Sequence, residues 1–146
     1  MGQGSLSLSR RRFLAYGAAT LVAGIAFGAA AADDEPLWEL LRRGGLFLFM
    51  RHGNAPGGGD PPDMRIDDCS TQPNLSDLGR SQAKAIGEEF RRRGIDIASV
   101  QSSRWCRCLE TAQLAFGRVE PLELLNSFIA TPERTEPQTA ALRDYL

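Results

Sequence analysis

The stretch Gly44-Gly45-Leu46-Phe47-Leu48-Phe49-Met50-Arg51-His52-Gly53 constrains this chain more than any other part of it. Five consecutive apolar residues bounded by glycine are too few for a helix and read as a strand buried on both faces. Strands of that kind belong to parallel sheets covered by helices. Such sheets receive ligands just beyond the C-terminal ends of their strands. This strand would deliver Arg51 and His52 to that edge, and His52 is the single histidine among 146 residues.

The segments around it alternate in the same sense. Residues 33–43, rich in Leu and Trp after an acidic start, predict a short helix with Pro36 in its first turn. Residues 53–74 are dense in Gly, Pro and Asp and predict a long loop. A loop of that length inside a compact domain usually carries function. Ser76 is a candidate N-cap for a helix running to Arg93, with Ala83, Ile86 and Phe90 on one side and Gly94 as its stop. Residues 97–101 read as a second strand, 103–116 as a helix closed by Gly117, 121–125 as a third strand, and 132–146 as a last helix. Leu75 and Leu78 are expected in the core and Trp105 as a packing residue. The arginine run 91–93 is expected as a solvated helix end, with Glu88 and Glu89 facing water. Helices and strands in this order predict an α/β sandwich with a mostly parallel sheet.

The N-terminus has a different composition. Ser9-Arg10-Arg11-Arg12-Phe13-Leu14 precedes a weakly apolar run of Ala and Gly that ends at Ala30-Ala31-Ala32. This is the three-part layout of an export signal, and its basic cluster resembles the twin-arginine address. The expected organisation is a leader over residues 1–32, cleaved after Ala32, and a domain over residues 33–146. The other reading, an uncleaved anchor, meets a run of about 18 residues, near the length that spans a bilayer, but one interrupted by three glycines. An exported domain would be periplasmic or extracellular, with the twin-arginine machinery as a partner and no stable membrane anchor after cleavage. Without the three leader arginines the formal charge passes from −1 to −4. A mildly acidic domain is a poor nucleic-acid binder. Cys69, Cys106 and Cys108 form no Cys-x-x-Cys pair, and one histidine gives no zinc set.

The two strand ends, taken together, supply chemistry. Arg51 and His52 come from the first. Arg104 and Arg107 follow the second, in Ser102-Ser103-Arg104-Trp105-Cys106-Arg107-Cys108-Leu109-Glu110-Thr111-Ala112. Arginine forks match phosphoryl oxygens bidentately, and helix N-termini favour anions. A neutral imidazole among them is a nucleophile, and neighbouring cations disfavour its protonation.

These segments resemble the histidine phosphatase superfamily, the phosphoglycerate mutase-like proteins, over about residues 44 to 117. Arg51-His52-Gly53 matches the family's Arg-His-Gly. The segment from Leu75 to Asp96 looks like its Leu-Ser/Thr-x-x-Gly-x-x-Gln-Ala helix, and Ser102 to Ala112 like its Ser-Ser-x-x-x-Arg-x-x-x-Thr-Ala segment. The resemblance implies a three-layer α/β/α sandwich and a phosphomonoesterase in which His52 is phosphorylated and Arg51 and Arg107 bind the phosphoryl group. The substrate would be a phosphorylated small molecule or phosphoprotein. Asn54, next to the motif, is a candidate substrate contact. Arg104 stands where the family varies. No cofactor and no metal are implied. Mutase activity is disfavoured by export and by the lack of long substrate-shaping insertions.

The chain departs from the family in lacking a second pocket histidine, which the family carries on a later strand. The expectation is a domain incomplete at its C-terminus; the alternative is a non-catalytic phosphate- or phosphoester-binding module with a degenerate pocket. The general acid stays open among Asp60, Asp63, Glu133 and Glu136. Cys69 and Cys106 should both lie near the pocket and could form a disulfide in an oxidising compartment, leaving Cys108 free; buried free cysteines are the other reading.

Overall fold

The computed structural model describes residues 35–146. The expected leader over residues 1–32 lies outside them. The helices are α1 (Glu35–Arg43), α2 (Asp77–Arg92), α3 (Cys106–Phe116) and α4 (Thr135–Tyr145). Two strands, β1 (Gln101–Ser102) and β2 (Glu120–Pro121), pair in parallel with Gln101 opposite Glu120. Pro121 has no N–H to give, so its neighbours make the ladder: Glu120 N donates to Val100 O at 2.9 Å and Leu122 N to Ser102 O at 2.7 Å.

α2 and α3 form the centre. The Ser76 hydroxyl caps α2 by accepting from Gly79 N at 3.1 Å. Gly79, Ala83 and Gly87 then recur at four-residue spacing along its buried face. Small residues at that spacing let backbones approach. A Cβ on Gly79 would collide with the carbonyl of Asn54, and one on Gly87 with the carbonyl of Ala115 in α3. The first contact presses the chain after the Arg-His-Gly motif against α2; the second presses α3 against it. Phe90 closes the layer, with Trp38 of α1 edge-on at 5.6 Å and Phe116 of α3 at 5.5 Å. Burying a phenylalanine contributes about 1.5–3 kcal/mol. The Arg93 guanidinium lies 4.3 Å above the Trp38 ring.

The structure differs from the expectations drawn from the sequence at several elements. Residues 46–50 carry no strand pairing, and Phe47 and Phe49 are 65% and 61% exposed. A strand buried on both faces needs neighbours on two edges and two layers, and the described residues supply one two-residue ladder. The apolar row instead lines a cavity of about 630 Å³ together with Val100, Leu122, Leu125 and Leu142. The strand expected at 121–125 is instead β2 at Glu120–Pro121, followed by a 3₁₀ turn at Glu123–Leu125. The buried Gln138 of α4 fixes that turn by donating to the carbonyls of Leu124 and Asn126. α3 starts at Cys106 rather than 103, because the chain through Ser102 is still in the ladder and Arg104 N is held by Asn126 Oδ1 at 2.9 Å. Leu75 is buried but Leu78 is 60% exposed, on the outer side of α2. Arg91 and Arg92 are exposed at the end of α2, as expected of a solvated helix end, and the run is also bonded: Arg92 and Arg93 both pair with Glu89, and Arg91 donates to Ala115 O. These pairs hold the Glu89 carboxyl down at about 2.

Candidate active site

His52 sits where the Arg-His-Gly segment meets α3. Its Nδ1 lies 2.7 Å from Gly53 O, and its Nε2 lies 3.2 Å from Nε of Arg107. A carbonyl only accepts, so Nδ1 carries the proton. Nε2 then holds the lone pair, accepting from the guanidinium. This tautomer points a nucleophilic nitrogen at a cation.

Thr111 sets the distance between the two elements. It is buried, accepts from Gly53 N at 3.0 Å and donates to the Arg107 carbonyl at 2.7 Å. One hydroxyl thus ties the residue after His52 to the helical turn that carries Arg107. Its place in the Thr-Ala pair is visible in the sequence; its partners are not.

The loop over residues 53–74 packs over the N-terminus of α3. A disulfide joins Cys69 to Cys106, with Cα atoms 5.7 Å apart, and Cys108 is free. The Gln72 side chain accepts from Cys106 N at 3.0 Å, capping a helix whose own N-cap position, Trp105, has no side-chain acceptor. Asp67 pairs with Arg104, which also reaches Glu123 at 3.2 Å. Gln72 is a positioning residue that the spacing of motifs does not announce.

Of the four carboxylates open as general acid, the structure brings only Asp60 to the pocket. Its Oδ1 accepts from Arg107 Nη1 at 2.7 Å, and its Oδ2 from Nη2 at 3.3 Å and from Trp105 Nε1 at 2.8 Å. The Arg107 bonds hold the Asp60 carboxyl below the usual carboxylate range, with Trp105 helping and partial burial opposing. Trp105, expected as a packing residue, is therefore a hydrogen-bond donor at the site. Asp63, Glu133 and Glu136 are exposed and make no side-chain bond among the described residues.

Arg51 and Asn54 are placed differently from His52 and Arg107. Arg51 is exposed, lines the same cavity as His52, and makes no hydrogen bond or ion pair among the described residues. Asn54 serves the start of α2: its Oδ1 accepts from the Ser76 hydroxyl at 2.7 Å, its carbonyl from Ser76 N at 3.0 Å, and its own N–H donates to Gln82 Oε1 at 2.9 Å. No group of three or more metal-ligating side chains is found among the described residues.

Residues 47–128, more than half of the chain, match the family model of the histidine phosphatase superfamily, branch 1. The chain belongs to this superfamily, which joins phosphatases and mutases built on a phosphoglycerate mutase-like α/β fold. Neither the curated proteins nor the solved structures contain a match to it.

Proposed function

We propose that this protein hydrolyses phosphate monoesters through a phosphohistidine on His52, within a three-layer phosphoglycerate mutase-like sandwich. The observation that carries the reading is the placement of His52, with Nδ1 on Gly53 O and the unprotonated Nε2 accepting from Arg107 Nε. As Arg107 turns its N–H groups onto the bound phosphoryl group, the Nε2 lone pair is freed and attacks phosphorus in line, the bond from phosphorus to the ester oxygen breaks, and its electron pair leaves with that oxygen. Water then attacks the phosphohistidine and loses a proton to solvent, the P–N bond breaks with its electron pair returning to Nε2, and phosphate departs. Arg107 and Arg51 neutralise the charge that grows on the equatorial oxygens. Asp60 in its present pairing is ionised and has no proton to give, so good leaving groups suit this site best. No step needs a metal or cofactor.

The substrate is a phosphorylated small molecule or a phosphoprotein. Twin-arginine export, removal of residues 1–32 and a periplasmic or extracellular location complete the reading. The Cys69–Cys106 disulfide supports it, since disulfides persist in oxidising compartments. Among the described residues no helix is long and apolar enough to cross a membrane.

The test is phosphoenzyme trapping with a labelled aryl phosphate. The expected result is an acid-labile, base-stable label on the protein, absent in His52→Ala together with turnover. Phosphate binding that survives in a protein never labelled and never turning over would establish the binding module instead.

A further inference from the structure

Three N–H groups, two from Arg107 and one from Trp105, converge on the carboxylate of Asp60. The same guanidinium uses its Nε on His52 Nε2. The fork that the proposed reaction needs for phosphoryl oxygens is therefore filled by an anion of the chain itself. The Arg107 and Asp60 side chains are only 14% and 27% exposed, so the pair is shielded and not a loose surface contact. Its position is built from both sides. Residues 65–72 are fastened to the start of α3 by the disulfide, by Gln72 on Cys106 N and by Asp67 on Arg104. On the other side, Gly57 and Gly59, with φ of 135° and 129°, give the chain before Asp60 a backbone that other residues rarely adopt. Asp60 thus lies between a fastened segment and a glycine turn.

We propose that Asp60 is a specificity-determining residue: a tethered carboxylate on the Arg107 fork that an incoming phosphoryl group must displace. This rests on the phosphoryl-binding role given to Arg107 above. A carboxylate and a phosphoryl group cannot share one fork without like-charge repulsion, so the ligand must out-compete the resident anion. A doubly charged phosphoryl group gains more from the arginine than a singly charged carboxylate does and displaces it. Singly charged anions, such as phosphodiesters, gain no such advantage and are refused.

The test is calorimetric binding of inorganic phosphate and of dimethyl phosphate to the oxidised protein and to Asp60→Asn, which keeps the shape and an acceptor for Trp105 but removes the charge. Asp60→Asn is expected to bind phosphate about tenfold more tightly and to narrow the preference for phosphate over dimethyl phosphate. Affinity within twofold of the unmodified protein, or weaker, overturns the proposal; weaker binding would make Asp60 a support for Arg107. Absence of phosphate binding in every form overturns it too. A second readout needs no variant. Phosphate titration of the unmodified protein should shift tryptophan emission as Asp60 leaves Trp105 Nε1, and saturable binding with no shift overturns displacement. Failure of phosphoenzyme trapping with the expected tightening intact would sink the hydrolase reading and leave this one standing.

Discussion

The two arginines that flank His52 live in opposite surroundings. Arg107 rises from the first turn of α3, is largely shielded, and spends its guanidinium on His52 and Asp60. The helix beneath it is packed on α2, capped by Gln72 and crossed by a disulfide. Arg51 ends an apolar row that is exposed and pairs with no strand, and its own side chain has no partner among the described residues. One half of the pocket is preorganised; the other has its chemistry but little to hold it. Preorganisation decides how much of a charge–charge interaction reaches the transition state, because a fixed donor need not be reoriented during the reaction.

The largest expected effect separates these halves. Arg107→Ala should lower kcat/KM on the order of 10³-fold and also lower the melting temperature, since it releases Asp60 and the loop. Arg51→Ala should lower kcat/KM as well but leave the melting temperature unchanged. Steady-state kinetics beside thermal melts check both, and a stability loss in Arg51→Ala would erase the contrast. Next comes the disulfide. Cys69 and Cys106 are 37 residues apart, and closing a loop of that size stabilises by about 4 kcal/mol on the chain-entropy account. Urea unfolding of the doubly Ser-substituted protein should show a loss of that order; under about 1 kcal/mol would mean the loop is held by its hydrogen bonds. The smallest effect belongs to the apolar row. Phe49→Ser changes an exposed side chain and should move stability by no more than about 0.5 kcal/mol. A loss of about 3 kcal/mol, the scale of a buried phenylalanine, would show that this row is covered in solution and that the two halves are equally built.

The site was more legible than the fold. Arg51, His52 and Arg107 announce themselves as residue types at fixed distances from turns and helix starts, and the structure brings His52 and Arg107 into contact across 55 residues of chain. Cys69 and Cys106 could be offered as a pair because both lie beside those motifs. Asp60 could not be told from Asp63, Glu133 or Glu136, because a carboxylate's usefulness depends on which cation it meets. Gln72 and Trp105 carried no signal of their own, and Thr111 only its place in the motif, since a polar side chain's partner is set by packing. The buried strand at 46–50 was the plainest misreading: apolarity says that a segment seeks cover, and tertiary structure decides whether cover is there.

By itself the sequence determined the helices and singled out the lone histidine. Helix periodicity, the Ser76 cap, the glycine stops and the lone histidine act over a few residues, where local energetics suffice. Tertiary structure alone decided the tautomer of His52, the seating of Asp60 on Arg107 and the fate of residues 46–50. Each of those depends on groups distant in the chain, and their free energies exist only once folding has set the distances between them.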